Sequence, residues 1–184
     1  MRLDKFLANA GVASRRAAKA IVHEGRVSIN GETAPEPGIA LDEHSDTVLV
    51  DGDPVSLPEG HRYVIMNKPA GYLCTSHDPR GRQTVFDLLD GVPERLFTVG
   101  RLDLDADGLL LLTNDGALAH RLTHPTYGVQ KIYIITSRER ATQSKITRLR
   151  EGVEVEGRHV TPDSADILDV GRGGSRVRIV IHDG

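Results

Sequence analysis

The sequence Gly-Arg-Leu-Asp-Leu-Asp-Ala-Asp-Gly-Leu-Leu-Leu-Leu-Thr-Asn-Asp-Gly, residues 100–116, determines how the rest of the chain is interpreted. Three aspartates alternate along its first half, and four consecutive leucines follow. A short apolar run that ends in residues typical of turns predicts a strand buried on both faces. The aspartates then lie on a loop at the end of a sheet, where a rigid scaffold can hold carboxylates in one geometry for chemistry.

The same aspartates are also compatible with a calcium-binding loop. Positions one, three, five and six of the EF-hand pattern are matched by Asp103, Asp105, Asp107 and Gly108. Position twelve requires a bidentate glutamate, but this chain has Asn114 there. The flanking segments have the composition of strands, whereas an EF-hand loop lies between helices. Calcium binding is therefore the weaker alternative, together with a turn that the acidic side chains merely solvate.

The stretch resembles the signature of the ribosomal-RNA pseudouridine synthases of the RsuA type. The matching parts are Gly-Arg-Leu-Asp at residues 100–103, a short acidic spacer, and Gly-Leu-Leu-Leu-Leu-Thr-Asn-Asp-Gly at residues 108–116. The family usually has Thr or Ser where this chain has Ala106, so a hydroxyl group near the nucleophile is missing. The resemblance implies an rRNA-modifying isomerase with Asp103 as catalytic nucleophile and Arg101 in contact with the RNA.

A second part of the same resemblance lies at residues 131–133, where Lys-x-Tyr falls on a predicted strand. The family's active-site tyrosine stacks on the target base, so the resemblance implies that role for Tyr133. From the sequence pattern alone, Tyr133 is equally compatible with a core aromatic residue. Pseudouridine formation implies neither a redox cofactor nor a metal ion, and we expect none.

The N-terminal residues combine a basic surface with two short predicted helices. Residues 1–31 contain two acidic residues and six basic residues, which are Arg2, Lys5, Arg15, Arg16, Lys19 and Arg26. Ser14 is a suitable N-cap for a helix over residues 15–23, with Ala17, Ala20 and Ile21 predicted to face inward. Arginines in the first turn oppose the helix dipole, which favours an anionic partner.

Residues 1–50 resemble the small RNA-binding module first known from a ribosomal small-subunit protein. The matching motifs are Ser-Arg-Arg-Ala at residues 14–17 and Gly-Arg-Val-Ser-Ile-Asn-Gly at residues 25–31. The dipeptide Asn30-Gly31 predicts a tight hairpin. Such modules bind RNA mainly through backbone charge and shape, and this implies that the six basic side chains are RNA contacts.

Charge and proline content divide the chain into two predicted domains. Residues 32–60 carry eight acidic side chains and no lysine or arginine, whereas the residues beyond are nearly neutral. We therefore expect an RNA-binding domain with an acidic spacer at 1–59 and a catalytic domain at 60–184. The predicted fold is α+β: a small helical and hairpin domain, followed by a mixed, mainly antiparallel sheet that is incomplete at its C-terminal end.

The loop over residues 74–84 is polar and basic, and Arg80 and Arg82 within it are suited to phosphate contacts. Among the family's branches, this loop is more similar to the large-subunit rRNA enzymes, so we expect a uridine of large-subunit rRNA as the target. Further along, we predict strands at 131–135, 153–155 and 177–181, a helix from Thr142 to Gly152, and a turn at 171–175.

The single cysteine, Cys74, permits no internal disulfide, and the N-terminus is too charged for a signal peptide. No apolar run is long enough for a membrane span, so we expect a cytoplasmic monomer that binds ribosomal RNA and no membrane. Nothing in the chain matches the family's basic C-terminal segment. We therefore also consider a non-catalytic RNA-binding protein that binds rRNA fragments through residues 1–50 but turns over poorly.

Overall fold

The computed structural model describes residues 1–155, 157–171 and 173–182, which form two compact units, Met1–His120 and Arg121–Gly184. Within the described residues, the α-helices are α1 (Leu3–Asn9), α2 (Arg15–His23), α3 (Gly116–Thr123) and α4 (Gln143–Glu151). The strands of the first unit are β1 (Val27–Ile29), β2 (Glu32–Thr33), β3 (Val48–Val50), β4 (Asp53–Val55), β5 (Tyr63–Lys68), β6 (Phe97–Val99) and β7 (Gly108–Thr113). Those of the second are β8 (Lys131–Ser137), β9 (Val153–Val155), β10 (Arg158–Val160), β11 (Ser164–Gly171) and β12 (Gly174–Ile181). The α+β fold is as predicted, whereas the predicted domain boundary after residue 59 lies inside the first unit and stays a prediction.

The N-terminal residues fold as predicted into two helices and a small antiparallel sheet with strand order β2–β1–β3–β4. Ser14 Oγ accepts a hydrogen bond from Ala17 N at 3.1 Å, which caps α2. Asn30 and Gly31 both have positive φ, so they form the predicted tight turn between β1 and β2. Strand β4 was not predicted because it contains Pro54, which is tolerated here since β4 is an edge strand.

The inward face of α2 differs from the prediction. Ala18 and Val22 are buried, whereas Ala17 and Ala20 are exposed and Ile21 is half-buried. Alanine is small enough to fit on either face of a helix, so an alanine-rich pattern does not fix the helix phase. The larger Val22 lies on the buried face.

An ion pair between the buried carboxylate of Asp4 and the largely exposed side chain of Arg15 joins α1 to α2. Asp4 has no exposed surface, and Arg15 Nη2 lies 2.9 Å from its Oδ2. Arg2 Nε lies 3.4 Å from the other carboxylate oxygen. Burial raises the pKa of Asp4, but the hydrogen bond and charge of Arg15 and the charge of Arg2 outweigh it, so the pKa falls below its ordinary value. Arg15 was predicted as an RNA contact, and the structure gives it a role in the fold.

The second sheet of the first unit has the strand order β5–β7–β6 and is antiparallel throughout. The prediction that the leucine run is buried on both faces is wrong. Leu110 and Leu112 are buried against Val85, whereas Leu109 is 76% exposed and Leu111 is half-buried. The described residues form a core cluster on one face of this sheet only, so side chains that alternate along β7 alternate in burial. The 3-10 helix Val85–Leu88 covers that face, and Asp87 accepts hydrogen bonds from Thr84, as expected of a cap.

The second unit contains the antiparallel sheet β11–β12–β8, the hairpin β9–β10 and helix α4, which packs on β11. Thr142 caps α4 as predicted, since its Oγ1 accepts a hydrogen bond from Lys145 N at 3.3 Å. The predicted strands at 131–135, 153–155 and 177–181 are confirmed within longer or equal elements. Gly171 and Gly174 of the predicted 171–175 turn belong to strands, and Arg172 lies outside the described residues. No helix among the described residues has the length and apolar composition needed to cross a bilayer.

Replacement of Arg15 by alanine should lower the free energy of unfolding by about 1–3 kcal/mol at pH 7, because the buried Asp4 carboxylate loses its main partner. Arg16→Ala removes the same charge from the exposed face of α2 and should change it by less than about 0.5 kcal/mol. The folded-state pKa of Asp4 is depressed, so its contribution is present above about pH 4 and is lost as the pH falls further. Denaturant unfolding at pH 7 and pH 3 should therefore show a difference between wild type and Arg15→Ala that shrinks in acid; equal stability of the two arginine variants at pH 7 would contradict the assignment.

Candidate active site

The loop that connects β6 to β7 presents every second side chain to solvent. Its exposed residues are Arg101, Asp103, Asp105 and Asp107, and its half-buried residues are Leu102, Leu104 and Ala106. The side chains at the half-buried positions point toward the interior of the first unit. The three carboxylates and the arginine are therefore free to meet a partner from outside the chain.

Lys68, the last residue of β5, is hydrogen-bonded to the backbone of this loop. Its side chain is completely buried, and its Nζ donates hydrogen bonds to Pro69 O at 3.0 Å, Leu104 O at 3.3 Å and Ala106 O at 2.6 Å. An ammonium group has three donors, and all three have acceptors. A buried cation without acceptors would cost several kcal/mol, so these carbonyl groups must stay in place while Lys68 is buried. Lys68 thereby fixes the backbone on the C-terminal side of Asp103.

Two further hydrogen bonds fix the loop from the segment that follows β5. Gly71 N donates to Leu104 O at 2.7 Å. On the other side of Asp103, Leu102 N donates to Cys74 Sγ at 3.4 Å. The backbone is thus tied at the residue before Asp103 and at the residue after it. Such anchoring on both sides is what a reacting carboxylate requires if it is to be held in one position.

Asp103 itself is exposed and makes no ion pair with any residue that the structure describes. Arg101, two residues earlier, is also exposed and unpaired within the described part of the chain. Asp103 and Arg101 therefore lie together on one loop, as the sequence predicted, and neither is neutralised by a residue that the structure describes. Strands flank the loop on both sides, and this contradicts the helical flanks of the calcium-binding alternative.

Tyr133, the third predicted site residue, belongs to the second unit. It lies on β8, opposite Ile179 of β12, and is 37% exposed. Its ring is therefore not enclosed in the core, which was one of the two interpretations that the sequence allowed. A partly exposed aromatic ring on a strand can offer one face to a ligand.

The predicted RNA-binding side chains fall into two groups. Four of them form ion pairs with carboxylates of the chain itself: Arg2, Arg15, Arg26 and Arg82. The others are exposed and form no ion pair with any described residue: Lys5, Arg16, Lys19 and Arg80. The second group is available to an external phosphate without first breaking an internal contact.

The internal pairs of the first group are well formed. Arg26 lies 2.6 Å from Asp51 and 3.1 Å from Glu24, which joins α2 to the turn after β3. Arg82 donates two hydrogen bonds to Asp78, and this lowers the pKa of Asp78 to about 2. These arginines shape their loops as well as carrying charge.

The sequence did not reveal the roles of Lys68, Cys74 or Arg95 in the first unit. Lys68 precedes Pro-x-Gly, a pattern that predicts a turn, and the family resemblance implies that Asn-Lys-Pro-x-Gly at residues 67–71 lies on the edge of the active-site cleft. Neither predicts that Lys68 is buried against carbonyl groups that lie 36 and 38 residues later in the chain. Arg95 Nη1 donates to Ala13 O at 3.2 Å, a contact across 82 residues. Contacts between residues so far apart in sequence leave no local sequence pattern, so periodicity and motif spacing could not predict them.

Comparisons with known proteins agree with this arrangement. The family model for RNA pseudouridylate synthase matches residues 62–181, and that for the S4 domain matches residues 1–48. The chain is similar to an uncharacterized RNA pseudouridine synthase of Aquifex aeolicus, with 42% identity over 185 residues that cover 100% of this chain and 74% of the relative. It is 37% identical to ribosomal large subunit pseudouridine synthase B of Bacillus subtilis, over 100% of this chain and 75% of the relative.

One solved structure, described as a crystal structure of pseudouridylate synthase, is similar with a TM-score of 0.63 and 28% identity. The match covers 100% of this chain and 78% of that chain. The chain therefore spans about three quarters of the length of the relatives that it matches.

Replacement of Lys68 by methionine should destabilise the first unit by about 1–3 kcal/mol, because the carbonyl groups of Pro69 and Ala106 lose the hydrogen bonds that Lys68 donates. The loop should also loosen, so that trypsin cleaves after the exposed Arg101 faster than in wild type. Lys19→Met, at an exposed position of α2, should change stability by less than about 0.5 kcal/mol. Unfolding curves and timed proteolysis measure both effects, and a Lys68→Met variant with wild-type stability and cleavage rate would refute the anchoring role.

Proposed function

The chain belongs to the RNA pseudouridylate synthase family, and from that premise we propose that it isomerises one uridine of large-subunit ribosomal RNA with Asp103 as the nucleophile. The observation that carries this proposal is the loop in which the backbone on both sides of Asp103 is hydrogen-bonded while its carboxylate stays exposed. An RNA pseudouridine synthase is an isomerase, so the reaction needs no second substrate. The S4 domain at residues 1–48 adds RNA binding.

The proposed reaction breaks the bond between uracil N1 and the ribose and forms a bond from C5 of the same ring to the same ribose carbon. The C5 proton leaves, and a proton is taken up at N1, so atoms and charge balance. A carboxylate nucleophile can divide this exchange into two steps through a covalent adduct. Attack by Asp103 on the ribose and attack on the uracil ring both satisfy this balance.

The target uridine must leave the base stack before a loop carboxylate can reach it. We propose that Arg101 contacts the RNA beside the extruded nucleotide and that Tyr133 stacks on the target base. Support comes from the guanidinium of Arg101, which is exposed and forms no ion pair with a described residue, and from the partly exposed ring of Tyr133. Asp105 and Asp107 are proposed to have no catalytic role, since one nucleophile suffices.

For RNA contacts outside the active site, we propose Lys5, Arg16, Lys19 and Arg80 as the main phosphate ligands. Each is exposed and lacks an ion pair among the described residues, so no internal contact is lost when a phosphate binds. The proposed contacts of Arg2, Arg15, Arg26 and Arg82 are secondary, because their guanidinium groups already bind carboxylates. An arginine can bind a carboxylate and a phosphate at once through different edges of its fork.

Large-subunit rRNA as the substrate rests on two supports. The basic loop at residues 74–84 is more similar to that branch of the family. Two relatives are also named for this substrate: ribosomal large subunit pseudouridine synthase B (Bacillus subtilis) and putative ribosomal large subunit pseudouridine synthase SVR1, chloroplastic (Arabidopsis thaliana, 38% identical).

An alternative from another class is an RNA-binding protein without turnover. The observation in its favour is that Asp103 forms no ion pair with any described residue, so no described cation holds its carboxylate in place. Arg101 is the nearest cation in sequence and is proposed to bind RNA. The same assay separates the two functions.

Asp103→Asn should abolish product formation while leaving RNA affinity within a few-fold of wild type, because the amide keeps the shape of the carboxylate but is not a nucleophile. Asp105→Asn, the matched control on the same loop, should retain activity. Tritium release from uridine labelled at C5 in a large-subunit rRNA stem-loop measures turnover, and filter binding measures affinity.

Substantial tritium release by Asp103→Asn would refute the assignment of the nucleophile. Tight binding of the stem-loop by wild type without any tritium release would favour the non-catalytic alternative. Tritium release from a small-subunit stem-loop but not from a large-subunit stem-loop would contradict the proposed substrate and leave the proposed reaction intact.

A further inference from the structure

The first unit contains a cavity of about 430 Å³ whose lining includes none of the residues of the Asp103 loop. Its walls come from α1, from the start of α2, from residues 74–76 and from strand β6 with the residues before it. The N-terminal residues matched by the S4 domain and the residues matched by the synthase family thus line one cavity. A volume of this size lies in the range of sites that bind small molecules or single building blocks of a polymer.

The cavity is cationic in a protein that is acidic overall. Lys5, Arg15 and Arg95 line it, and no aspartate or glutamate is among its lining residues, whereas the chain carries a formal net charge of −3. Lys5 and Arg95 have no carboxylate partner within the described residues. The bond from Arg95 Nη1 to Ala13 O holds that guanidinium in place and leaves its other N–H groups unused by any described residue. Local positive charge of this kind attracts an anion such as a phosphate group.

Aromatic rings complete the lining. Phe86 and Phe97 are two of the three phenylalanines in the chain, and both are half-buried beside the cavity. Thr75, Ser76 and Thr98 add hydroxyl groups that can donate or accept hydrogen bonds. Positive charge for the backbone and aromatic rings for the bases are the combination by which proteins bind unpaired nucleotides.

We propose that this cavity binds one unpaired nucleotide of the substrate RNA, with its phosphate at Lys5 and Arg95 and its base against Phe86 or Phe97. The inference rests on the proposed function, because it takes the RNA strand as the ligand. It adds a binding site separate from the nucleophile loop. Arg95, which lies outside the S4 domain, becomes an RNA-binding residue.

Cys74 provides a direct test, because it lines the cavity and is the only cysteine in the chain. The rate at which N-ethylmaleimide modifies Cys74 would be measured with and without the large-subunit stem-loop. At an RNA concentration about ten times Kd, the rate should fall about tenfold if only the empty cavity reacts. Uridine monophosphate and inorganic phosphate at the same concentration should protect far less.

Cys74 also contacts the nucleophile loop, so RNA bound at that loop could protect it as well. The Lys5→Gln/Arg95→Gln variant distinguishes such protection from protection by RNA in the cavity. With the variant saturated by RNA, protection of Cys74 should be lost, and the log–log salt dependence of binding should become shallower by about 0.7, the value for one phosphate contact of a single strand. Arg158→Gln, on the exposed strand β10, makes the same kind of charge change outside the cavity and should keep full protection. Lys5→Gln alone, at an exposed position, should give part of the loss even if Arg95→Gln impairs folding.

Undiminished modification of Cys74 in the RNA-saturated wild type would overturn the proposal, as would protection that persists fully in the double variant. Equal protection by uridine monophosphate at the same concentration would assign the cavity to free nucleotides and not to the RNA strand. None of these measurements of Cys74 modification requires catalytic turnover. Loss of catalysis with intact protection would therefore count against the proposed function alone, and normal catalysis without protection would count against the cavity alone.

Discussion

The buried ammonium group of Lys68 is the interaction on which the candidate active site depends. Its three acceptors are backbone carbonyl groups, two of them in the loop that carries Asp103. Because the buried charge must keep these acceptors, the loop is held against the end of β5 before any RNA arrives. Side chains then alternate, with leucine and alanine turned inward and Asp103 turned outward. The proposed nucleophile, Asp103, is thus positioned by the backbone of its loop and not by contacts of its own side chain with described residues.

A second buried charge organises the N-terminal residues in a different way. Asp4 has no exposed surface and draws Arg15, and more loosely Arg2, toward the contact between α1 and α2. The basic surface is therefore not uniform, since some cations stabilise the fold while Lys5, Arg16 and Lys19 remain unpaired among the described residues. In the proposed function, the unpaired cations supply the salt-dependent attraction to RNA, while the pairing of Arg15 with Asp4 holds α1 and α2 together.

Local patterns predicted much of this molecule. The Ser14 cap, the turn at Asn30 and Gly31, the helix after Thr142 and the loop that carries Asp103 all follow from residues close together in sequence, and all are confirmed. The errors arose where local patterns leave the answer open. Alanines do not fix a helix face, and four successive leucines do not reveal that the described residues pack against only one face of their sheet. The hydrogen bonds from Lys68 to the loop and the ion pair of Arg15 with Asp4 are tertiary contacts, and no sequence motif predicts them. The roles of Asp103, Arg101 and Tyr133 came from resemblance and remain predictions.

The central claim is that Asp103 is positioned before substrate binds. The most direct test is to measure the backbone order parameters of its loop in the RNA-free protein. Amide ¹⁵N relaxation should give order parameters for Leu102 to Ala106 near 0.85, the value of rigid backbone, and equal to those of β5 and β7. The hydrogen bonds at Leu102, Leu104 and Ala106 would then be present in solution throughout the fast motions of the chain. Order parameters below about 0.6 in this loop, with β5 and β7 still rigid, would contradict the account, because Asp103 would then have to be ordered by the RNA itself.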